Sequence, residues 1–483
     1  MNTSQLLING QLREASGQQT FTRQNPVTGQ TATVAAAAQP EDVQAALQAA
    51  EQAFVHWSAL GPTERRLRLL KAADLMDERA AEFIATVRQE TGSTDSWYGF
   101  NVHLSANILR EAAAMTTQID GSIIPSDLPG SLSIAYRVPC GVVVSIAPWN
   151  APVILATRAM AMPLACGNTV ILKASEQCPA THVLLGQVLN DAGVGAGVIN
   201  VITHAPEDAP AVVEQLIAHP AVKRINFTGS TKVGKIIAAT AAKYLKPVLL
   251  ELGGKAPVIV CEDADLEQAV AGVAFGAYFN QGQICMSTER LIVHESIASS
   301  FLEKLVAKIK TIPVGSPDQA DTRFAYLESA QSAQRIKALV EDAVAKGATL
   351  PLPLNIEGAL MHPLIVNDVT PDMQLYATES FGPVVTMTRY HEDSEAIRLA
   401  NDSEYGLAAA VFTQNVNRGL SIAKQIQSGI CHINGPTVHD EAQAPFGGMK
   451  ASGYGRFGSK SAINEFTELR WITVQTTPRQ YPL

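Results

Sequence analysis

The hydrophobic pattern changes period twice along the chain, near residues 40 and 138. Before the first change, two short alternating runs at 6–8 and 31–36 flank the turn-forming pairs Asn25-Pro26 and Thr28-Gly29, which predicts strands joined by turns. Between the two changes, residues 41–57, 63–90 and about 96–118 are rich in Ala, Leu, Glu, Gln and Arg. Apolar positions there recur at helical spacing, as at Val43, Ala46, Leu47, Ala50 and Phe54, so three helices are predicted. Pro40 and Pro62 stand near two of the helix starts, where a missing N–H costs nothing.

From residue 138 onward, short continuous apolar runs alternate with helical stretches. Strands are predicted at 141–147, 169–173, 198–203, 224–228 and 248–252, with helices at 153–165, 179–192, 210–218 and 231–244 between them. Such alternation implies a parallel sheet covered on both faces, with ligands bound off the carboxyl ends of its strands. A second α/β series begins near residue 256, with strands at 257–261, 289–293, 383–389, 409–412 and 431–434 and helices at 266–279, 297–310 and 329–346. The strand-like tail 469–475 lies outside both series, and the region 315–354 is the least regular.

Composition narrows the classes. The 483 residues are 47% hydrophobic and only 17% charged, which excludes a mainly disordered chain and allows about three structural domains. Lys and Arg number 36 against 45 Asp and Glu, a net charge of −9, and no basic run occurs. A nucleic-acid partner and a membrane-surface role are therefore not expected. The six cysteines, Cys140, Cys166, Cys178, Cys261, Cys285 and Cys431, form no CxxC pair and no disulfide framework. The uncharged stretch 139–157 contains Pro139, Pro148, Asn150 and Pro152, and is expected to be strand, loop and helix rather than a membrane span. With no cationic, apolar leader at the N-terminus, a cytoplasmic protein is expected.

Several motifs are weak. Residues 229–235 fit GxxxxGK, but Ile236 stands where a Mg²⁺-binding Ser or Thr is needed; a nucleotide phosphate on a helix N-terminus still fits. Residues 453–458 fit GxGxxG without a preceding strand. Glu392, Asp393 and Glu395 form a solvated acidic cluster, and no metal signature is present.

Three segments carry chemistry. Glu251 is a carboxylate inside an apolar strand followed by two glycines; burial would raise its pKa and make it a base near neutrality. A strand-end ion pair with a lysine is the competing explanation. Cys285 follows a helix and a glycine-containing loop, where backbone amides can stabilise a thiolate nucleophile. Asn150 ends an apolar strand with a side-chain amide, either an oxyanion donor or an ordinary turn residue.

Together these segments resemble the aldehyde dehydrogenase superfamily along nearly the whole chain. The resemblance rests on PWN (148–150), KASE (173–176), FTGS (227–230), LELGGK (250–255), GQICMSTER (282–290), ESFGPV (379–384) and PFGGMKASGYG (445–455), with Glu251 and Cys285 at the family's separation. It implies an α/β fold: a Rossmann-like dinucleotide-binding domain (1–120 and 140–252), an α/β catalytic domain (253–430), a substrate-tunnel loop returning to the cofactor side (431–466), and a β-flap for oligomerisation (121–139 and 467–483). It implies Cys285 as nucleophile, Asn150 with the Cys285 N–H as oxyanion donors, and Glu251 as base. NAD, with NADP also possible, would bind through Ile146, Trp149, Lys173, Glu176, Phe227, Gly229, Ser230, Val233, Leu252, Glu379 and Phe381. Glu176 favours NAD because a carboxylate repels a 2′-phosphate. A homodimer or homotetramer is the family habit.

The segments 97–101, 151–159 and 431–448 are similar to bacterial vanillin and salicylaldehyde dehydrogenases, which implies an aromatic aldehyde substrate. Tyr98, Phe100, Ile284, Met286, Val438 and Phe446 would form apolar tunnel walls, and Arg158 would meet a ring hydroxyl or phenolate, or else form a structural salt bridge. An aliphatic or semialdehyde dehydrogenase and a non-redox thiol esterase stay open on the same fold. The chain departs from the family at 321–327, at 349–353 and at Phe457, which puts local loop structure in doubt more than chemistry.

Overall fold

A computed structural model of the chain describes residues 2–482. Two parallel sheets organise it. The first is built from β1 (Val142–Ile146), β2 (Thr169–Lys173), β3 (Ile199–Ile202), β4 (Val222–Thr228) and β5 (Val248–Glu251), in the order β5-β4-β1-β2-β3. These five strands run parallel. Chain order reverses between β1 and β4, and this switch point leaves a crevice at the carboxyl ends. Short antiparallel strands extend the sheet at both edges, Leu6–Ile8 and Gln11–Arg13 on one side and Gly453–Tyr454 on the other. β1, β2 and β3 are buried along their whole length, as their unbroken apolar runs demand.

The second sheet comprises β6 (Ala256–Val260), β7 (Thr288–His294), β8 (Leu364–Asn367), β9 (Val384–Tyr390), β10 (Ala408–Phe412) and β11 (Ile430–Ile433), all parallel, in the order β8-β9-β7-β6-β10-β11. β11 carries this sheet a few residues past the expected boundary at 430. The strand Ser131–Pro139 pairs along its length with Thr467–Gln475 and with Gly121–Ile124 in a separate three-stranded sheet, from the two segments expected to make the flap.

Four helices position the site: α1 (Asp95–Met115), α2 (Pro152–Ala165), α3 (Thr231–Lys243) and α4 (Leu266–Tyr278). α2 is buried on every face and starts on Pro152, whose fixed φ suits the first helical position. One expectation is corrected here. The helix expected over 63–90 is two helices, Pro62–Glu78 and Ala80–Thr91. The break falls at Arg79 (φ −96°, ψ 15°), whose side chain pairs with Glu82 and Asp191. Neither Gly nor Pro marks it, so the pattern reads through. Strands Thr20–Gln24 and Leu364–Asn367 were not anticipated. Among the described residues no helix is long and apolar enough to cross a membrane.

Candidate active site

The carboxyl edge of the first sheet forms one row. Ile146 stands opposite Lys173 on one side and Phe227 on the other; one position on, Thr228 faces Glu251. Glu251 therefore ends its strand at the crevice. Gly254, three residues on, permits a close approach: a Cβ there would lie 2.1 Å from the Cys285 carbonyl oxygen. The loop bearing Cys285 thus closes onto the strand that ends in Glu251.

That loop leaves α4 through Asn280, Gln281 and Gly282, all with left-handed φ (49°, 56° and 71°). Glycine is required at 282, where a Cβ would sit 2.2 Å from the Gly382 carbonyl oxygen. Cys285 then occupies a turn closed by the Ser287 N–H donating to the Ile284 carbonyl (2.8 Å). It is not at a helix N-terminus, and its thiol is not a pre-stabilised thiolate. Burial, reinforced by the neighbouring Glu251, pushes the thiol well above its ordinary range.

Glu251 is almost wholly buried, and neither carboxylate oxygen has a hydrogen-bond partner. Burial pushes its pKa up to about 7, with Cys285 and Arg158 drawing it partly back. The expected competitor, an ion pair with a lysine, is not formed: Lys255 pairs with Glu289 instead (2.6 Å). Asn150 is fixed at two points. Its Nδ2 donates to the Gln283 carbonyl (3.0 Å), while its own carbonyl accepts from Trp97 Nε1 (3.0 Å) and Asn280 Nδ2 (3.1 Å). An amide nitrogen has two N–H groups, so one is left over in a residue that lines the same cavities as Cys285.

Two cavities, each of about 300 Å³, meet at Asn150, Leu155 and Cys285. One is walled by Trp97, Phe100, Phe275, Phe279 and Phe446, with Ile154, Ile284, Met286 and Val438 between them and Arg158, His439 and Asp440 as polar members. Its rings pack edge-on and stacked: Trp97 against Phe279 at 5.0 Å, Phe275 on Phe279 at 4.7 Å. The other opens at the sheet edge among Trp149, Gly229, Ser230, Leu252, Glu379 and Phe381, with Glu251 at its floor. A thiol between an apolar pocket and a sheet-edge crevice, beside a base near neutrality, can attack a carbonyl held in one cavity while a nucleotide lies in the other.

Comparison with known proteins identifies the family. The pattern of the aldehyde dehydrogenase family matches residues 13–472. The chain belongs to the aldehyde dehydrogenase family. It is 58% identical over 478 residues to a vanillin dehydrogenase of Pseudomonas sp. (strain HR199 / DSM 7063), covering 99% of both chains. Its fold superposes with a TM-score of 0.98, at 47% identity and full coverage of both chains, on a salicylaldehyde dehydrogenase from Pseudomonas putida G7 solved with salicylaldehyde. A betaine aldehyde dehydrogenase point mutant from Staphylococcus aureus, solved with NAD+, matches with a TM-score of 0.94 at 31% identity, covering 99% of this chain and 97% of that one. The aldehyde dehydrogenase fold and enzyme class expected from the sequence are thereby established, with NAD(P) as the family's cofactor.

The crevice fits a dinucleotide on its own geometry. Ser230 caps α3, its Oγ accepting from the Val233 N–H (3.4 Å), and leaves a helix N-terminus suited to phosphate. Lys173 and Glu176 pair at 3.5 Å beyond the end of β2. Burial pushes the Glu176 carboxyl up, but Lys173 and local N–H groups draw it below its ordinary range, so it stays anionic. Glu379 accepts from the Gly254 N–H (2.7 Å), yet burial and the charge of Glu289 hold its pKa at about 8; sugar hydroxyls would supply the donors it lacks. Phe381, at φ 46°, meets Trp149 edge-on at 5.9 Å. Lys173, Ile146 and Phe227 at the sheet edge, Glu176 in the loop after β2 and Val233 in the first turn of α3 do not line the cavity at Cys285.

Among the expected tunnel residues, Phe100, Ile284, Met286, Val438 and Phe446 do line the aromatic cavity. Tyr98 does not, and that expectation is corrected. It is fully buried in the core, its hydroxyl bonded to Thr91 Oγ1 (2.5 Å) and the Ser93 N–H (2.7 Å). Neighbouring helix positions point about 100° apart, and Trp97 is the one that faces the cavity. Arg158 forms the salt bridge that was its alternative explanation, a buried ion pair with Asp440 (2.5 Å), and also lines the cavity, its guanidinium 4.3 Å from the Phe446 ring. Sequence reasoning missed Phe275, Phe279, Arg335 and Asp440; the i, i+4 phenylalanines on the helix approaching Cys285 were the available signal. Phe457, a departure from the family, is buried and pairs its backbone with Phe446 in both directions at 2.8 Å, bracing the tunnel loop. Among the described residues no group of three or more His, Cys, Asp or Glu could hold a metal ion; Asp393 of the acidic cluster pairs with Arg418.

Proposed function

We propose that this enzyme oxidises aromatic aldehydes of the vanillin and salicylaldehyde kind to their carboxylic acids with NAD+. The observation that carries the reading is the meeting of an aromatic-walled cavity and the sheet-edge crevice at Cys285. The likeness to vanillin and salicylaldehyde dehydrogenases points the same way. The aldehyde lies among Trp97, Phe100, Phe279 and Phe446 with its carbonyl toward Cys285. Glu251 takes the thiol proton; sulfur bonds to the carbonyl carbon, and the carbonyl electron pair moves to oxygen. The free Asn150 N–H and the Cys285 N–H, which bonds to no group among the described residues, hold the oxyanion. Bound NAD+ supplies a hydride acceptor. As the carbonyl re-forms, the hydride leaves the substrate carbon and a thioester remains on Cys285. Glu251, its proton released, then deprotonates water; hydroxide adds to the thioester, and the C–S bond breaks to give the acid and free cysteine. The anionic Glu176 beside Lys173 favours NAD over NADP, since a 2′-phosphate would meet a carboxylate.

Burying a ring rather than a two-carbon chain removes on the order of 100 Å² more apolar surface from water, ~2–3 kcal/mol at about 25 cal/mol per Å². Benzaldehyde and its hydroxylated derivatives should therefore exceed acetaldehyde in kcat/KM by at least about tenfold, followed as NADH formation. Equal efficiencies would overturn the aromatic reading and leave an aldehyde dehydrogenase of broad range. We also infer a homodimer or homotetramer assembled through the flap, because Ile123, Leu469, Trp471 and Val474 stand exposed on two of its three strands. Light scattering reads the mass, and a monomer at micromolar concentration would refute it.

A further inference from the structure

One buried carboxylate ties together three of the motif segments. Glu289, in the segment that carries Cys285, is almost wholly shielded from water and pairs with the equally buried Lys255 (2.6 Å), in the segment that carries Glu251. Its two oxygens also accept from the third segment: the Ser380 N–H lies 2.8 Å from Oε2 and 3.1 Å from Oε1, and the Phe381 N–H lies 3.0 Å from Oε1. The turn Glu379–Phe381 is held on its other side as well. Arg335 donates to the Glu379 and Ser380 carbonyls (3.3 and 2.5 Å), and Glu379 Oε1 accepts from the Gly254 N–H, next to Lys255 (2.7 Å). Phe381 sits at φ 46°, a left-handed conformation that costs a residue with a Cβ free energy and persists only where its surroundings fix it. A buried ion pair adds little net stability, because desolvation offsets the attraction. What this pair supplies is a charged acceptor beneath a turn whose Glu379 and Phe381 line the sheet-edge crevice.

We propose that Glu289, with Lys255 as its counter-charge, is a positioning residue for hydride transfer: it fixes the turn Glu379–Phe381 in its binding shape before NAD+ arrives. A turn set in advance loses little conformational freedom on binding and presents Glu379 and Phe381 to NAD+ in one arrangement. Glu289 itself lines neither cavity, so it acts only through the turn. It also stands four residues past Cys285, so the pair couples the loop of the nucleophile to the loop of the cofactor. The proposal rests on the placing of NAD+ in the sheet-edge crevice and deepens it.

Two measurements test it. Hydrogen exchange of the wild type without NAD+ should find the Ser380 and Phe381 amides protected, with little change when NAD+ is added. Free exchange that slows only on NAD+ binding overturns the proposal even if no variant folds. The second measurement compares two double variants, Lys255→Met with Glu289→Leu and Lys255→Met with Glu289→Gln. Both remove the ion pair without stranding a charge, and only glutamine keeps an oxygen that can accept both N–H groups. In each, the rate of NADH formation from benzaldehyde is divided by the rate at which iodoacetamide alkylates Cys285, which reports the thiol and its base without NAD+. The leucine variant should lose ~10–100-fold in this ratio, the scale of a small misplacement at a reacting centre, and the glutamine variant should recover several-fold of that loss. A merely structural role would lower both rates together and leave the ratio at its wild-type value, which overturns the proposal; so does an equal loss in the two variants. A wild type that forms no NADH from any aldehyde defeats the placing of NAD+ instead, and the exchange measurement still decides whether the turn is preset.

Discussion

Glu251→Gln should gain stability relative to the wild type as pH rises. Burial moves the Glu251 titration from 4.5 to about 7 in the folded protein. At 1.36 kcal/mol per pH unit the shift is worth ~3 kcal/mol against the ionised form, and at 1% exposure solvent screens little of it. The sign follows from proton binding. The folded state holds the proton more tightly than the unfolded one, so the favourable contribution is whole below pH 4.5 and is lost as pH rises toward about 7. Weighting by ionisation in both states gives a penalty of about 1 kcal/mol at pH 5 and about 3 kcal/mol at pH 8. Glutamine does not titrate. Whatever constant cost its unpaired amide carries, the stability difference between variant and wild type should move by ~2–3 kcal/mol in the variant's favour from pH 5 to pH 8. Denaturant unfolding at fixed protein concentration across that range measures it. A difference that does not change with pH would show that Glu251 titrates near its ordinary value, and the account of a base poised by burial would fail.

Three further outcomes address the chemistry. Rapid mixing of Glu251→Gln with aldehyde and NAD+ should show neither an NADH burst nor steady turnover; a full burst followed by a stall would mean that Glu251 serves only the water step. Cys285→Ala should bind NAD+ but retain well under about a hundredth of wild-type kcat, because nucleophile losses run to several orders of magnitude; a larger residue of activity would displace Cys285 as nucleophile. Asn150→Ala should lower kcat by about 10²–10³, the usual effect of losing one oxyanion donor, with little change in NAD+ affinity measured by quenching of tryptophan fluorescence.

Much of the fold was legible because both sheets are parallel and buried. A strand covered on both faces must be an unbroken apolar run, and β1, β2 and β3 were found almost residue for residue. The chemistry was legible for a related reason. Glu251 is conspicuous because it interrupts such a run, and its position at a strand's carboxyl end places it in the crevice whatever the rest of the fold does. Helical direction was harder. Trp97 and Tyr98 differ by one position and by about a third of a turn, and pattern alone could not tell which faced the cavity. The helix break at Arg79 left no mark because no glycine or proline makes it.

The charge inside the tunnel was beyond the reach of sequence. Arg158 is visible on its helix, but the residue that cancels it, Asp440, lies 282 positions away in a loop with no regular structure. An arginine bonded to a carboxylate through one N–H is balanced in charge yet keeps donors to spare. That contact sets the polarity of one end of the cavity, while leaving the thiol, its base and the oxyanion donors as they are. The residues that break and make bonds sit where a strand or a tight turn must end. Those that wall the aromatic cavity are joined only by tertiary contact, and for them the fold adds most to the sequence.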